Sequence, residues 1–191
     1  MKLKDVIAFC DRVKPNAFTE ADKTQWINDF EMMTQADELL LHPDDIVNYV
    51  WQSTYSGDIE FIDDRTIRLP KDFDARSGGE ITISGMASLT QNEGTYIVEQ
   101  MFSDDRTLIF AKDSFVAGTD HGYMFYDGSG SELILPDLWH KLYVSYLCAQ
   151  IDLFNGEYDK YANTMEVFNS YYGDYKVWYT THWPTRKEVE G

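Results

Sequence analysis

Basic residues are scarce in this chain. Sixteen Lys and Arg stand against 33 Asp and Glu, a formal charge of −17, which opposes grip on nucleic acid through phosphate neutralisation. Cysteine is scarcer still, with Cys10 and Cys148 far apart and each inside an apolar helical pattern. A disulfide framework or thiolate metal site calls for more cysteines at closer spacing, so both read as buried thiols in a reducing compartment. No run approaches the ~20 apolar residues of a membrane span, and the first residues, Met1 to Arg12, have charges where a secretory signal needs an unbroken apolar core. The expectation is a soluble protein made and used in the cytoplasm. Only 5 prolines and a 43% hydrophobic content, 15% of the chain being aromatic, separate it from disordered sequences. At 191 residues it has room for one domain or one domain with a smaller insertion. Residues 57–130 hold 14 acids and 6 bases and the rest holds 19 and 10, so the charge is a solvated surface spread over the whole chain.

Three stretches follow. In residues 1–56, Leu3, Val6, Ile7, Cys10 and Val13 recur at helical intervals until Pro15. Thr19 then stands as an N-cap before Glu20 and Asp22, with Trp26, Ile27, Phe30 and Met33 as the next stripe. Leu39 to Ile46 reads as a break, and Val47, Tyr49, Val50 and Trp51 suit helix or strand. Residues 57–130 contain nine of the twelve glycines between short β-branched and aromatic runs. Strands are expected at 59–62, 66–69, 80–84, 94–102, 107–110 and 123–126, with Asp104-Asp105 as a hairpin turn. Residues 131–191 return to helix. After Pro136, Leu138, Leu142, Tyr146, Ala149 and Leu153 share a face, and Asn155-Gly156-Glu157 breaks the chain into an αα-hairpin. Its second helix carries Tyr158, Tyr161, Met165, Phe168, Tyr172, Tyr175 and Tyr179 in a 3.5-residue repeat. Tyr171, Trp178 and Trp183 add a second aromatic edge. This seam fits either the chain's own core or a subunit interface, since tyrosine buries area while keeping a polar tip. Tyr158, Tyr161, Tyr172, Tyr175, Trp178 and Tyr179 are the candidate interface residues.

The fold class that results is α+β: a helical bundle built by residues 1–56 and 131–191, with an inserted small antiparallel β domain at 57–130. Signals of chemistry are weak. His42, His121, His140 and His182 show no zinc spacing, and the Asp pairs at 44–45, 63–64 and 104–105 suit turns. Asp120-His121 has no neighbouring nucleophile motif, and Gly128-Ser129-Gly130-Ser131 lacks the lysine of a phosphate loop. The reading is of no enzyme, no cofactor and no metal.

Several polar positions go beyond amphipathicity. The stretch from Leu133 through Ser170, with Asn155-Gly156-Glu157-Tyr158-Asp159, Tyr161, Asn163 and Phe168-Asn169, and the close Lys176-Val177-Trp178-Tyr179, resembles the C-terminal part of head-tail connector (adaptor) proteins of tailed bacteriophages and prophages of Gram-positive bacteria. Val13-Lys14-Pro15-Asn16-Ala17-Phe18 followed by Lys23, Trp26 and Ile27 resembles the family's opening. The chain departs from the usual short join between the helices by inserting residues 57–130. Within the insertion, Ile81 to Gly85 with Asn92 to Val98 is similar to a small β-module of phage tail and neck proteins. The resemblance implies a structural virion protein at the head-tail interface: a ring of about twelve subunits between portal and stopper or tail-completion protein, passing DNA without sequence-specific binding and without a membrane. The insertion would then meet capsid or another neck component. An acidic channel wall suits that role, because it repels phosphates and lets the duplex slide. Two other classes remain: an acidic DNA mimic inhibiting a host nuclease, disfavoured by the spread of charge, and a β-module binding protein, disfavoured by an insertion without Trp.

Overall fold

The computed structural model describes residues 1–34, 49–102 and 106–182. The expected break at 39–46, the Asp104-Asp105 turn and Trp183 lie outside the described residues. The fold is α+β, and the described residues form four α-helices and a seven-stranded antiparallel sheet. The described residues fall into two compact units, one of Met1, 5–34 and 134–182, the other of Lys2–Lys4 and 49–133.

In the first unit, α1 (Leu3–Val13) and α2 (Glu20–Thr34) come from the front of the chain, α3 (His140–Phe154) and α4 (Tyr158–His182) from its end. Val6, Ile7 and Cys10 are buried as the spacing predicts, whereas Val13 is half exposed at the helix end. Thr19 does cap α2. Its hydroxyl oxygen accepts the Asp22 N–H at 3.2 Å, and the Asp22 carboxylate accepts the Thr19 N–H at 2.9 Å, a reciprocal box that satisfies two otherwise orphaned donors. The Thr19 hydroxyl also donates to the Asp22 carboxylate at 2.7 Å, and that bond, then the one from the Thr19 N–H, holds the Asp22 carboxyl below its usual range.

The stripe on α2 is wider than expected and rotated. Trp26, Ile27 and Phe30 are buried, but so are Lys23 and Glu31, while Met33 is exposed. Each buried charge has a partner, as burial requires. Lys23 Nζ donates to both carboxylate oxygens of Asp11 at 2.8 Å. Glu31 accepts from the Tyr143 hydroxyl and from the Ile134 N–H. At the other end, Pro136 precedes a 3-10 turn over Asp137–Trp139, and α3 starts only at His140. Leu138 therefore leaves the expected stripe and is 69% exposed. The helix ends as the sequence predicts: Gly156 takes φ of 75°, Glu157 N–H reaches Asp152 C=O at 2.8 Å, and Gly156 N–H reaches Leu153 C=O at 3.0 Å. This is the left-handed cap that glycine permits at least cost, and it folds α3 and α4 into the C-terminal αα-hairpin.

In the second unit the strands are β1 (Gln52–Phe61), β2 (Thr66–Arg68), β3 (Glu80–Ser84), β4 (Gly94–Ile97), β5 (Gln100–Phe102), β6 (Thr107–Ile109) and β7 (Gly118–Asp127), in the order β4-β3-β7-β1-β2-β6-β5. The long ribbon β1–β7, in register from Gln52 opposite Asp127 to Phe61 opposite Gly118, is its spine. β1 begins upstream of the first glycine at 57, so strand structure reaches into the stretch read as helical. β7 alternates: Asp120, Gly122, Met124 and Tyr126 face inward, His121, Tyr123 and Phe125 outward. The expected strand over 94–102 is two strands, β4 and β5, on opposite edges of the sheet. Only Val98 and Glu99 join them. Two residues span so little distance that the sheet must curl until its edges come close, with Val98 N–H bonding to Gly79 C=O and Glu99 N–H to Ile109 C=O, both at 2.9 Å. Inside the curl lies an apolar core that includes Ile59, Phe61, Ile67, Phe73, Ile81, Ile83, Leu108, Phe110, Phe115 and Tyr126.

Candidate interface surface

The middle of the aromatic ladder of α4 serves the chain's own core. Phe168, Tyr172 and Tyr175 are buried, and their rings stack along the helix: Phe168 on Tyr172 at 5.5 Å, Tyr172 on Tyr175 at 6.2 Å. Phe30 of α2 meets Phe168 and Tyr172 edge-on, and Trp139 meets Tyr175 at 5.4 Å and Trp178 at 5.7 Å. Tyr172 and Tyr175, two of the six candidate interface residues, are buried within the chain itself and there offer little area to a partner. The physical reason is tertiary. Trp139, held in the 3-10 turn, and Phe30 together cover a seam that the heptad spacing alone leaves uncovered.

Trp178 and Tyr179 are half-buried toward the end of α4, next to Tyr175. The second edge is also partly occupied, since the Lys141 ammonium lies 5.6 Å from the centre of the Tyr171 ring. The open aromatic surface sits instead at the hairpin tip. Tyr158 is 68% and Phe154 59% exposed, and Tyr161 is half-buried one turn along. Phe154 was not among the sequence candidates. It stacks by one face on Trp26, 5.1 Å away and nearly parallel, and meets Phe18 edge-on at 6.3 Å, while more than half of its surface stays open to solvent.

Elsewhere the polar motifs do structural work. Asp120 does not orient His121 for proton transfer. Its carboxylate accepts the N–H groups of Ser88 at 2.6 Å, Leu89 at 2.7 Å and its own neighbour His121 at 2.9 Å, while the His121 ring lies 3.3 Å from Asp58. Asp63 accepts the Arg65 N–H, and the Asp64 carboxylate accepts that of Asp113. Ser129 and Ser131 in the glycine-serine link accept the backbone N–H groups of Lys4 and Leu3 through their carbonyls. Among the described residues, no three His, Cys, Asp or Glu side chains gather to hold a metal ion, and no helix is long and apolar enough to cross a membrane.

The bonds to Leu89 and Ser88 hold the Asp120 carboxyl below its usual range, which has a consequence for stability. A carboxylate with a lowered folded pKa stabilises the fold above its unfolded value, and that contribution is lost as pH falls through the folded value. Asp120→Asn is expected to lower the urea midpoint at neutral pH. The gap from the parent should close below about pH 4, where the unfolded carboxyl protonates. Urea titrations of both chains from about pH 7 to about pH 3 check this; a gap independent of pH would contradict it.

One feature of the first unit carries no signal in the spacing of the sequence. Cys10 on α1 and Cys148 on α3 are free thiols whose sulfurs lie 3.4 Å apart. The shared hydrogen bond, then burial, pushes the Cys10 thiol up, and the same bond, opposed by burial and aided by the Lys14 ammonium, brings the Cys148 thiol down. Cys148 is the more acidic of the two.

No protein-family model matches the chain, and no curated protein matches it in sequence.

Proposed function

We propose that this chain is a structural subunit of a tailed-phage neck: a head-tail connector that assembles side by side into a ring between portal and stopper or tail-completion protein. In this reading the front and end helices act as one connector bundle. The observation that carries the reading is the C-terminal hairpin. α4 runs 25 residues, about 37 Å at helical rise, with its ladder backed by the chain's own aromatics and with Phe154 and Tyr158 open at the tip. The polar pattern of the same hairpin is what resembles connector proteins. A closed ring uses two different patches on each subunit, and an exposed aromatic pair beside a glycine turn is suited to be one of them, because such rings desolvate a large area with little loss of side-chain freedom. The acidic surface suits a channel wall that DNA passes without adhering. The outward strand face, with Tyr123 55% and Phe125 39% exposed, is the part of the inserted unit suited to meet capsid or a neighbouring neck component.

The test uses Tyr158→Asp. An acid in the first turn of α4 is favoured by the helix dipole, so the variant should fold with an unchanged circular dichroism spectrum. Sedimentation velocity is expected to show the parent as a large closed oligomer, alone or with the portal protein from the same genome, and the variant as a monomer. A variant that assembles as the parent does would remove the tip from the interface.

A further inference from the structure

The two cysteines are separated by 138 positions in sequence, yet the fold of the first unit sets them side by side. Their contact, 3.4 Å between sulfurs, is that of two hydrogen-bonded thiols. A disulfide requires about 2.05 Å, so the remaining closure is ~1.4 Å. The pair also has a defined order of access. Cys10 is fully buried and Cys148 only partly so. Lys14 Nζ donates to the Cys148 carbonyl at 3.2 Å and is ion-paired with Asp152, so the more accessible thiol feels both an ammonium that favours its thiolate and a carboxylate that opposes it.

We propose that Cys10 and Cys148 form a redox-active dithiol site, which a small organic disulfide converts into an intramolecular bond joining α1 to α3. The Cys148 thiolate attacks one sulfur of the organic disulfide; a mixed disulfide forms and one thiolate leaves. Cys10 then gives up its proton and attacks the Cys148 sulfur, forming the Cys10–Cys148 bond and releasing the second thiolate. In sum, two protein thiols lose two hydrogens, and one organic disulfide becomes two thiols. The lower pKa of Cys148 fits its role as first nucleophile, since the thiolate is the reacting form. Cys10, shielded from solvent, acts only on the sulfur beside it. The geometry makes the site conditional. In a reducing compartment the pair stays open, with the Lys14–Asp152 ion pair linking the end of α1 to α3; on oxidation the same two helices become covalently tied.

The probe is bis(2-hydroxyethyl) disulfide, neutral and so not repelled by an acidic protein. The reduced full-length chain is incubated with it in native buffer and in urea, quenched in acid, alkylated under denaturing conditions and mapped by mass spectrometry. The expected native product has lost two hydrogens, takes up no alkylating agent and yields a peptide linking Cys10 to Cys148. Closure in native buffer should be faster than in urea by at least ~10-fold, because the unfolded loop gives the two thiols a low effective concentration. The thermal midpoint of the oxidised chain should rise by several degrees and return with dithiothreitol. Cys10→Ser should stop at a stable mixed disulfide on Cys148. The proposal is overturned if the native parent chain keeps both thiols, stops at a mixed disulfide, couples only to other chains, or closes no faster than in urea. The parent's mass map and rate ratio decide the matter even if Cys10→Ser fails to fold.

Discussion

Replacing Phe30 by alanine is expected to cost about 3–5 kcal/mol of folding stability, a large part of what a domain of this kind has. The ring is fully buried and is the meeting point of three helices. Its centre lies 5.2 Å from Tyr143 and 5.2 Å from Tyr146 of α3, and 5.5 Å from Phe168 and 6.2 Å from Tyr172 of α4. Truncation removes the transfer free energy of the ring and leaves a cavity whose walls are large aromatics, each fixed by other contacts, so the void cannot collapse fully. Edge-to-face geometry with Tyr143 and Phe168 adds a smaller term. Phe30→Leu should cost markedly less, and Met33→Ala, three residues along but exposed, should stay within about 0.5 kcal/mol. Urea unfolding of the three variants gives these values from midpoints at a common slope. A Phe30→Ala cost no larger than that of Met33→Ala would refute the packing described.

Lys14→Met is the second large effect, expected at about 3 kcal/mol. Asp152 has no exposed side-chain surface and is paired with the Lys14 ammonium, with the Thr164 hydroxyl donating to it at 3.1 Å. Methionine keeps most of the packing of the lysine stem but removes the charge. The carboxylate is then buried without a cation, and breaking such a pair costs far more than a surface ion pair contributes. The paired change Lys14→Met with Asp152→Asn retains an acceptor for Thr164 and removes the orphan charge, and most of the lost stability should return. A double-mutant cycle by urea unfolding measures this coupling. A double variant no more stable than Lys14→Met would mean that the lysine acts otherwise than through Asp152.

What the sequence made legible was whatever local spacing controls. The Thr19 cap, the Gly156 turn and the αα-hairpin all rest on neighbours a few residues apart, and each is present. The ladder on α4 was legible too, but not what covers it. Trp139 and Phe30 come from elsewhere in the chain, so Tyr172 and Tyr175 lie in the core while Phe154 opens at the tip. Polarity misled on α2: Glu31 and Lys23 look like solvent positions, and their burial is supported by partners distant in sequence, the Tyr143 hydroxyl and Ile134 N–H for Glu31 and the Asp11 carboxylate for Lys23. The division of 94–102 into opposite sheet edges has no glycine or proline to announce it, because a curled sheet needs only the two-residue join at Val98-Glu99. The dithiol, 138 positions apart, is a tertiary fact with no periodic signal.

The central claim, that the chain is a ring-forming connector, is tested most directly by its native mass. Light scattering of the full chain at several concentrations, alone and mixed with the portal protein from the same genome, should give a closed assembly of about twelve copies in at least one of the two conditions. A monomer at every concentration that also leaves the portal's mass unchanged would contradict it.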